Sequence, residues 1–207
     1  MKIQNLNETD RSTLFLRRLE DSGVEETVRG IIADVAQNGD YALIAYAKKF
    51  DRAALDSLEV TSEELDDALL SMPTELLDAM QTAAENIRAF HSMQLREGFR
   101  LERPNGVYMG QKITPIEKVG LYIPGGTASY PSTVFMNAIP AKLAGCALVV
   151  MVSPPNESGQ IAAPILAAAK LAGVDRVFKA GGAQAVAALV YGTETIPKVD
   201  KIVGPGN

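Results

Sequence analysis

Histidine and cysteine occur once each in 207 residues, as His91 and Cys146, and tryptophan is absent. A catalytic zinc site usually takes three protein ligands from His, Cys, Asp and Glu. A metal site within this chain would therefore be carboxylate-only or be completed by residues from elsewhere. No HExxH or CxxC pairing occurs. The same scarcity removes the usual catalytic triads, because a Ser or Cys nucleophile would have only His91 as its base and nothing in the local sequence pairs them. A single cysteine excludes an internal disulfide framework. Positive charge is also short: Lys and Arg number 20 against 25 Asp and Glu, for a net charge of −5. That balance removes the general attraction to nucleic acid or an anionic membrane surface. No apolar run reaches the roughly 18 residues of a membrane span, and the amino terminus lacks the basic and apolar regions of a signal peptide. The expectation is a cytoplasmic protein without nucleic-acid or membrane partners.

What is present is a composition 47% hydrophobic, ample for a core, and a sharp asymmetry of charge. Of the charged residues, 35 fall in 1–118 and only 10 in 119–207. The chain is accordingly read as a mainly helical part over 1–118 and an α/β part over 119–207. In the first part, Val28, Ile31, Ile32 and Val35 recur at helical spacing, as do Leu43, Ala47 and Phe50. Thr61 with Glu64 is a capping-box signature for a short helix through Leu70. Leu76, Leu77, Met80, Ala84, Ile87 and Phe90 form an apolar stripe on a helix over about 74–93. Pro104-Asn105-Gly106 then predicts a tight turn in a β-hairpin near residues 99–113.

In the second part, apolar strands run into turns and then helices. Pro124-Gly125-Gly126-Thr127 follows a strand over 119–123, and Ser153-Pro154-Pro155-Asn156 follows one over 148–152. Gly181-Gly182-Ala183-Gln184 follows a strand over 174–180, and Gly204-Pro205-Gly206-Asn207 follows one over 199–203. Helices are predicted over about 132–144, 158–171 and 183–190, with Gly145 and Gly173 as their C-terminal caps. The result is a mostly parallel, Rossmann-like sheet with crossover helices, read as incomplete at the C-terminus. Ligands of such sheets bind outside the carboxyl ends of the strands. Glycine pairs there let a ligand approach the backbone, and the helices that follow offer free N–H groups to a phosphate or carboxylate. Nucleotide binding and purely structural tight turns both satisfy this pattern. No GxGxxG follows the first strand, and no acidic ribose partner stands about 20 residues beyond it.

The segment 119–127, Val-Gly-Leu-Tyr-Ile-Pro-Gly-Gly-Thr, resembles histidinol dehydrogenase, together with Pro131-Ser132-Thr133-Val134, Ala138-Ile139-Pro140-Ala141-Lys142 and Ala144-Gly145-Cys146. Gly181-Gly182-Ala183-Gln184-Ala185, Tyr191-Gly192-Thr193-Glu194 and the run from Pro197 to Asn207 match the same family in the same order, and Asn86-Ile87-Arg88-Ala89-Phe90-His91 is compatible with it. The resemblance covers the whole chain but only about the first half of a typical member. It implies an NAD-dependent oxidoreductase of histidine biosynthesis that takes L-histidinol through an aldehyde to L-histidine. It further implies two NAD per reaction, a bound zinc and a homodimer. Carried over residue by residue, NAD contacts fall on Tyr122, Gln184 and Asn207. The family's zinc ligands, general-base histidine and water-activating glutamate lie beyond the position of Asn207, so no catalytic or metal-ligating residue transfers. A fragment of such an enzyme, a natural non-catalytic short form that binds NAD or a partner chain, and an aldehyde-dehydrogenase-type enzyme remain as readings. The last requires a cysteine thiolate.

Each singled-out residue also has a structural reading. Tyr122 is equally a half-buried strand tyrosine whose hydroxyl serves a nearby backbone group, and Gln184 a residue satisfying N–H groups at its helix terminus. Ser132 and Thr133 read as helix caps. His91 reads as packing beside Phe90 or capping carbonyls, and Cys146 as a small core residue. A parallel sheet cut after its fourth strand would expose an edge and an apolar face, predicting self-association.

Overall fold

The computed structural model describes residues 23–125 and 129–205. Helices α1 (Val24–Tyr46), α2 (Ser62–Leu70) and α3 (Thr74–Ser92) come first, with a π-helical turn, Ala47–Asp51, closing α1. A hairpin of β1 (Phe99–Glu102) and β2 (Tyr108–Gln111) follows. Strands and helices then alternate: β3 (Lys118–Tyr122), α4 (Pro131–Leu143), β4 (Leu148–Ser153), α5 (Ala163–Ala172), β5 (Arg176–Lys179), α6 (Gly182–Tyr191) and β6 (Lys201–Val203). The four later strands form one sheet in the order β5-β4-β3-β6, parallel throughout. This is a mixed α/β fold with helices ahead of a parallel sheet, as the sequence predicts.

Both faces of that sheet are buried, and alternate residues of β4 divide between them. Val149 and Met151 join Leu121, Phe135, Ile139, Ile165 and Met80 on one face, whereas Val150 and Val152 join Leu43, Phe178, Ala185 and Leu189 on the other. Each cluster draws on residues from before and after Lys118. Helix α1 lies against α6, α2 against α5, and α3 against α4. The β5 edge is not left open. Val60 N–H donates to Val177 O at 2.9 Å and Lys179 N–H to Leu58 O at 2.7 Å, so the strap around Glu59 covers it.

Several boundaries differ from the sequence reading for local reasons. Helix α5 begins at Ala163 rather than near Ser158, because Pro164 has no N–H to donate and its ring would clash with the carbonyl four residues earlier, so it is accommodated only in the first turn. The intervening turn is organised by Asn156, whose Oδ1 accepts from the N–H groups of Ser158 (3.0 Å) and Gln160 (3.1 Å). Helix α4 starts with Pro131 in its first turn and Tyr130 at its N-cap, so Ser132 and Thr133 lie inside the helix and are not caps. The hairpin turn is looser than a two-residue Asn-Gly turn. Gly106 N–H donates to Arg103 O at 3.0 Å and only Gly106 takes positive φ, the pattern of a type I turn followed by a bulge.

Helix α1 is broken at Gly39, whose backbone is non-helical (φ 51, ψ −128). The break is held by the Thr193-Glu194 pair. Asp40 N–H donates to Glu194 Oε2 at 2.8 Å, and the Thr193 hydroxyl donates to Asp40 Oδ1 at 2.5 Å. These bonds tie the second half of α1 to the end of α6. The hydrogen bond from Asp40 N–H holds the Glu194 carboxyl below its usual range.

The predicted capping box is present, since Glu64 N–H donates to Thr61 Oγ1 (3.1 Å) and Thr61 N–H to Glu64 Oε2 (2.8 Å). Glu64 also receives Lys179 Nζ at 2.6 Å, so it anchors β5 as well as α2. Replacing Thr61 by Ala should cost ~1 kcal/mol, and Glu64→Ala should cost more, because it strands the partly buried Lys179; urea denaturation of both variants measures the difference. Arg176 clasps Glu59 with two bonds of 2.7 Å and holds its carboxyl below the ordinary 4.5. A depressed acid contributes stability above its unfolded value that disappears as pH falls through its folded one. Glu59→Gln should therefore flatten the loss of stability below about pH 4.5, read from thermal midpoints across pH 3–6.

Candidate functional site

The carboxyl ends of β3, β4 and β5 open onto a cleft of about 590 Å³ whose wall includes Asp51, Tyr122, Pro124, Gly125, Pro154, Asn156 and Gly182. The chain runs outward from β3 to β4 to β5 and then returns to the other side of β3 as β6. The strand order reverses at β3, which is where ligands of open α/β sheets bind. Tyr122 is the last residue of that strand.

Three turns are packed against one another here, and the ring of Pro154 stands between two of them. A Cβ added at Gly125 would collide with the Pro154 ring, and one added at Gly181 would meet the same ring from the other side. Glycine at these positions is thus fixed by close approach of neighbouring turns, whatever binds above them.

Tyr122 and Gln184 converge on one residue. The Gly182 N–H, the first of α6, donates to the Tyr122 hydroxyl at 3.2 Å. The hydroxyl thus serves a backbone group, as its structural reading expects, and keeps its own proton available to a ligand in the cleft. Gln184 is 4% exposed and its amide folds back over Gly182, where an added Cβ would stand 2.8 Å from Oε1. It supports the turn from beneath and is absent from the residues lining the cleft. Asn207, with Gly126, lies outside the described residues.

One residue of the cleft was not singled out by the sequence. Asp51, at the end of the π-helical turn, has a buried Oδ2 without a hydrogen-bond partner among the described residues, and burial pushes its carboxyl pKa up. It directly follows an apolar helical stripe and carries no motif, so no sequence signal marks it.

His91 stands apart at the end of α3, edge-on to Phe90 with ring centroids 5.3 Å apart, and its Nδ1 lies 2.7 Å from Gln94 Oε1. Cys146 is buried in the core, and burial raises its pKa. A raised thiol is a poor nucleophile at neutral pH, which disfavours aldehyde-dehydrogenase-type chemistry. Among the described residues no three His, Cys, Asp or Glu side chains gather as a metal site. The residues described do not form a zinc site. No described helix is long and apolar enough to cross a membrane.

Because Gly182 is exposed, water can replace the hydroxyl of Tyr122. Tyr122→Phe should cost ~1 kcal/mol or less in urea denaturation; a much larger loss would make the hydroxyl a structural support rather than a group free to serve a ligand.

Comparison with known proteins agrees with this architecture. The model of the histidinol dehydrogenase family matches residues 16–207. The chain is 50% identical over 210 residues to histidinol dehydrogenase of Geobacillus kaustophilus, covering 100% of this chain and 49% of that relative. It is 48% identical over 210 residues to that of Bacillus subtilis, again across 100% of this chain and 49% of the relative. The crystal structure of histidinol dehydrogenase from Elizabethkingia anophelis superposes with a TM-score of 0.86 at 44% identity, over 93% of this chain and 44% of that one. The chain spans about half the length of the curated relatives it matches. It belongs to the histidinol dehydrogenase family.

Proposed function

We propose that this chain is the NAD-binding portion of an enzyme that oxidises L-histidinol through the aldehyde to L-histidine, and that by itself it binds NAD without turnover. The observation that carries this reading is the cleft at the carboxyl ends of the parallel strands, with the Tyr122 hydroxyl set on the first N–H of α6. A hydroxyl that accepts from an N–H at the positive end of a helix is polarised as a donor. It is suited to an oxygen of the cofactor, and the helix terminus beside it to a phosphate. Gln184 holds the turn that presents that terminus. Asn207 is proposed as a third contact.

NAD, when bound, supplies the hydride acceptor. What the chain contributes is binding, orientation and partial exclusion of water by Pro124, Pro154 and Ile161 in the cleft wall. Oxidation of the alcohol also needs a base within reach of the hydroxyl proton. His91 does not line the cleft, and the zinc of the intact family enzyme would be held by residues outside this chain. Catalysis, the zinc site and homodimer formation are thus assigned to the longer enzyme, working in the cytoplasm. A natural non-catalytic short form would share the same NAD cleft.

Calorimetric titration of this chain with NAD tests the reading. Saturable binding is expected, weakened about tenfold in Tyr122→Ala and in Gln184→Ala, a loss of ~1.4 kcal/mol. No histidinol-dependent NADH should form with added zinc. Absence of NAD binding at millimolar concentration would overturn the cofactor assignment, and histidinol turnover would overturn the division of labour.

A further inference from the structure

The first strand of this sheet lacks the acidic residue about 20 positions downstream that commonly receives the ribose hydroxyls of a dinucleotide. The cleft nevertheless contains an acceptor without a donor, delivered from another part of the chain. Asp51 is half-buried and lines it alongside Tyr122, Asn156 and Gly182; its Oδ2 is enclosed and meets no donor among the described residues, so a ligand would engage the carboxylate from its cleft side. Its position is fixed by the π-helical turn it ends and by Arg52, whose left-handed backbone (φ 58) redirects the chain immediately afterwards.

Two neighbouring acceptors of the cleft wall are engaged. Glu157 pairs with Arg52 at 3.1 Å, and Asn156 Oδ1 is used by its own turn. A buried carboxylate oxygen without a donor costs free energy that native structures seldom leave uncompensated. The cleft is also polarised: the first N–H of α6 and the Tyr122 hydroxyl present donors at Gly182, and Asp51 presents an acceptor elsewhere in the wall. Phosphates belong at the first place and hydrogen-bond donors at the second. The hydroxyl pair of a ribose is the donor group that a dinucleotide offers.

We propose that Asp51 accepts hydrogen bonds from ribose hydroxyls of the NAD held in this cleft, and so selects NAD over its 2′-phosphorylated counterpart. The proposal rests on the NAD reading above. A 2′-phosphate would set close to two negative charges against a carboxylate, and the adjacent cation, Arg52, is held by Glu157. The family resemblance assigns no role to Asp51.

The test is titration of the chain and its Asp51→Asn variant with NAD and with NADP, together with their melting midpoints. The unaltered chain should prefer NAD by about tenfold or more, and the variant should lose several-fold in NAD affinity while its preference shrinks to about threefold or less. Its midpoint should be unchanged or higher, because the substitution removes a buried carboxylate without a partner. An unchanged NAD affinity and NAD-to-NADP ratio in the variant would overturn the role of Asp51 and leave the NAD reading standing. A lower midpoint with equal losses for both nucleotides would make Asp51 structural and overturn it as well. Failure of the unaltered chain to bind NAD would overturn both readings.

Discussion

A parallel sheet must be covered on both faces, and most of this structure follows from how that requirement is met. The segment that forms the sheet supplies α4 and α5 to one face and only α6 to the other. Helix α1 completes the second face by lying over α6, and α2 and α3 thicken the first. The charge asymmetry along the sequence has the same origin. Residues 119–207 are poor in charge because their strands and helices are enclosed, whereas the earlier helices are amphipathic because each has one side in water.

The same packing brings α1 to the cleft. Its second half is locked to the end of α6 by Asp40, Thr193 and Glu194, and its last turn delivers Asp51 to the carboxyl ends of the strands. Residues that merely cover a sheet face thereby also supply a side chain to the cleft at its edge. The Tyr-Gly-Thr-Glu run, a family signature in the sequence, has here a structural use: two of its four residues pin a helix that is more than 150 positions away in the chain.

Much of this was legible in the sequence. The alternation of apolar strands with turn-and-helix segments gave the parallel sheet, and Thr61 with Glu64 marked the start of α2 to the residue. Gly145 and Gly173 both take the left-handed conformation expected just past a helix (φ 85 and 75). What was not legible depended on neighbours distant in the chain. The late start of α5 reflects Pro164 together with an Asn156 side chain that satisfies the preceding turn, a competition that apolar periodicity does not register. Tyr122 was marked by its place at a strand end, but its partner, Gly182, lies 60 positions away. Asp51 follows an apolar stripe as any solvent-facing aspartate would, and only the fold reveals that one of its oxygens is enclosed.

That enclosure bears on why the cleft is built as it is. A carboxylate whose pKa is raised by burial, beside an Arg52 that pairs with Glu157 instead, disfavours the folded state at neutral pH. Two acids that tie distant segments to β5 move the opposite way: Glu59 is held down by Arg176, and Glu64, against its own burial, by Lys179 and Thr61. Those two tie the strap and α2 to β5 and act for stability. Asp51 makes no such tie among the described residues, yet it lines the same cleft as the hydroxyl poised on α6. A group kept at a cost to folding in the wall of a concave site marks a binding site more often than a core. Among the described residues the charge pattern thus separates Glu59 and Glu64, which hold neighbouring segments to the sheet, from Asp51, which lines the cleft.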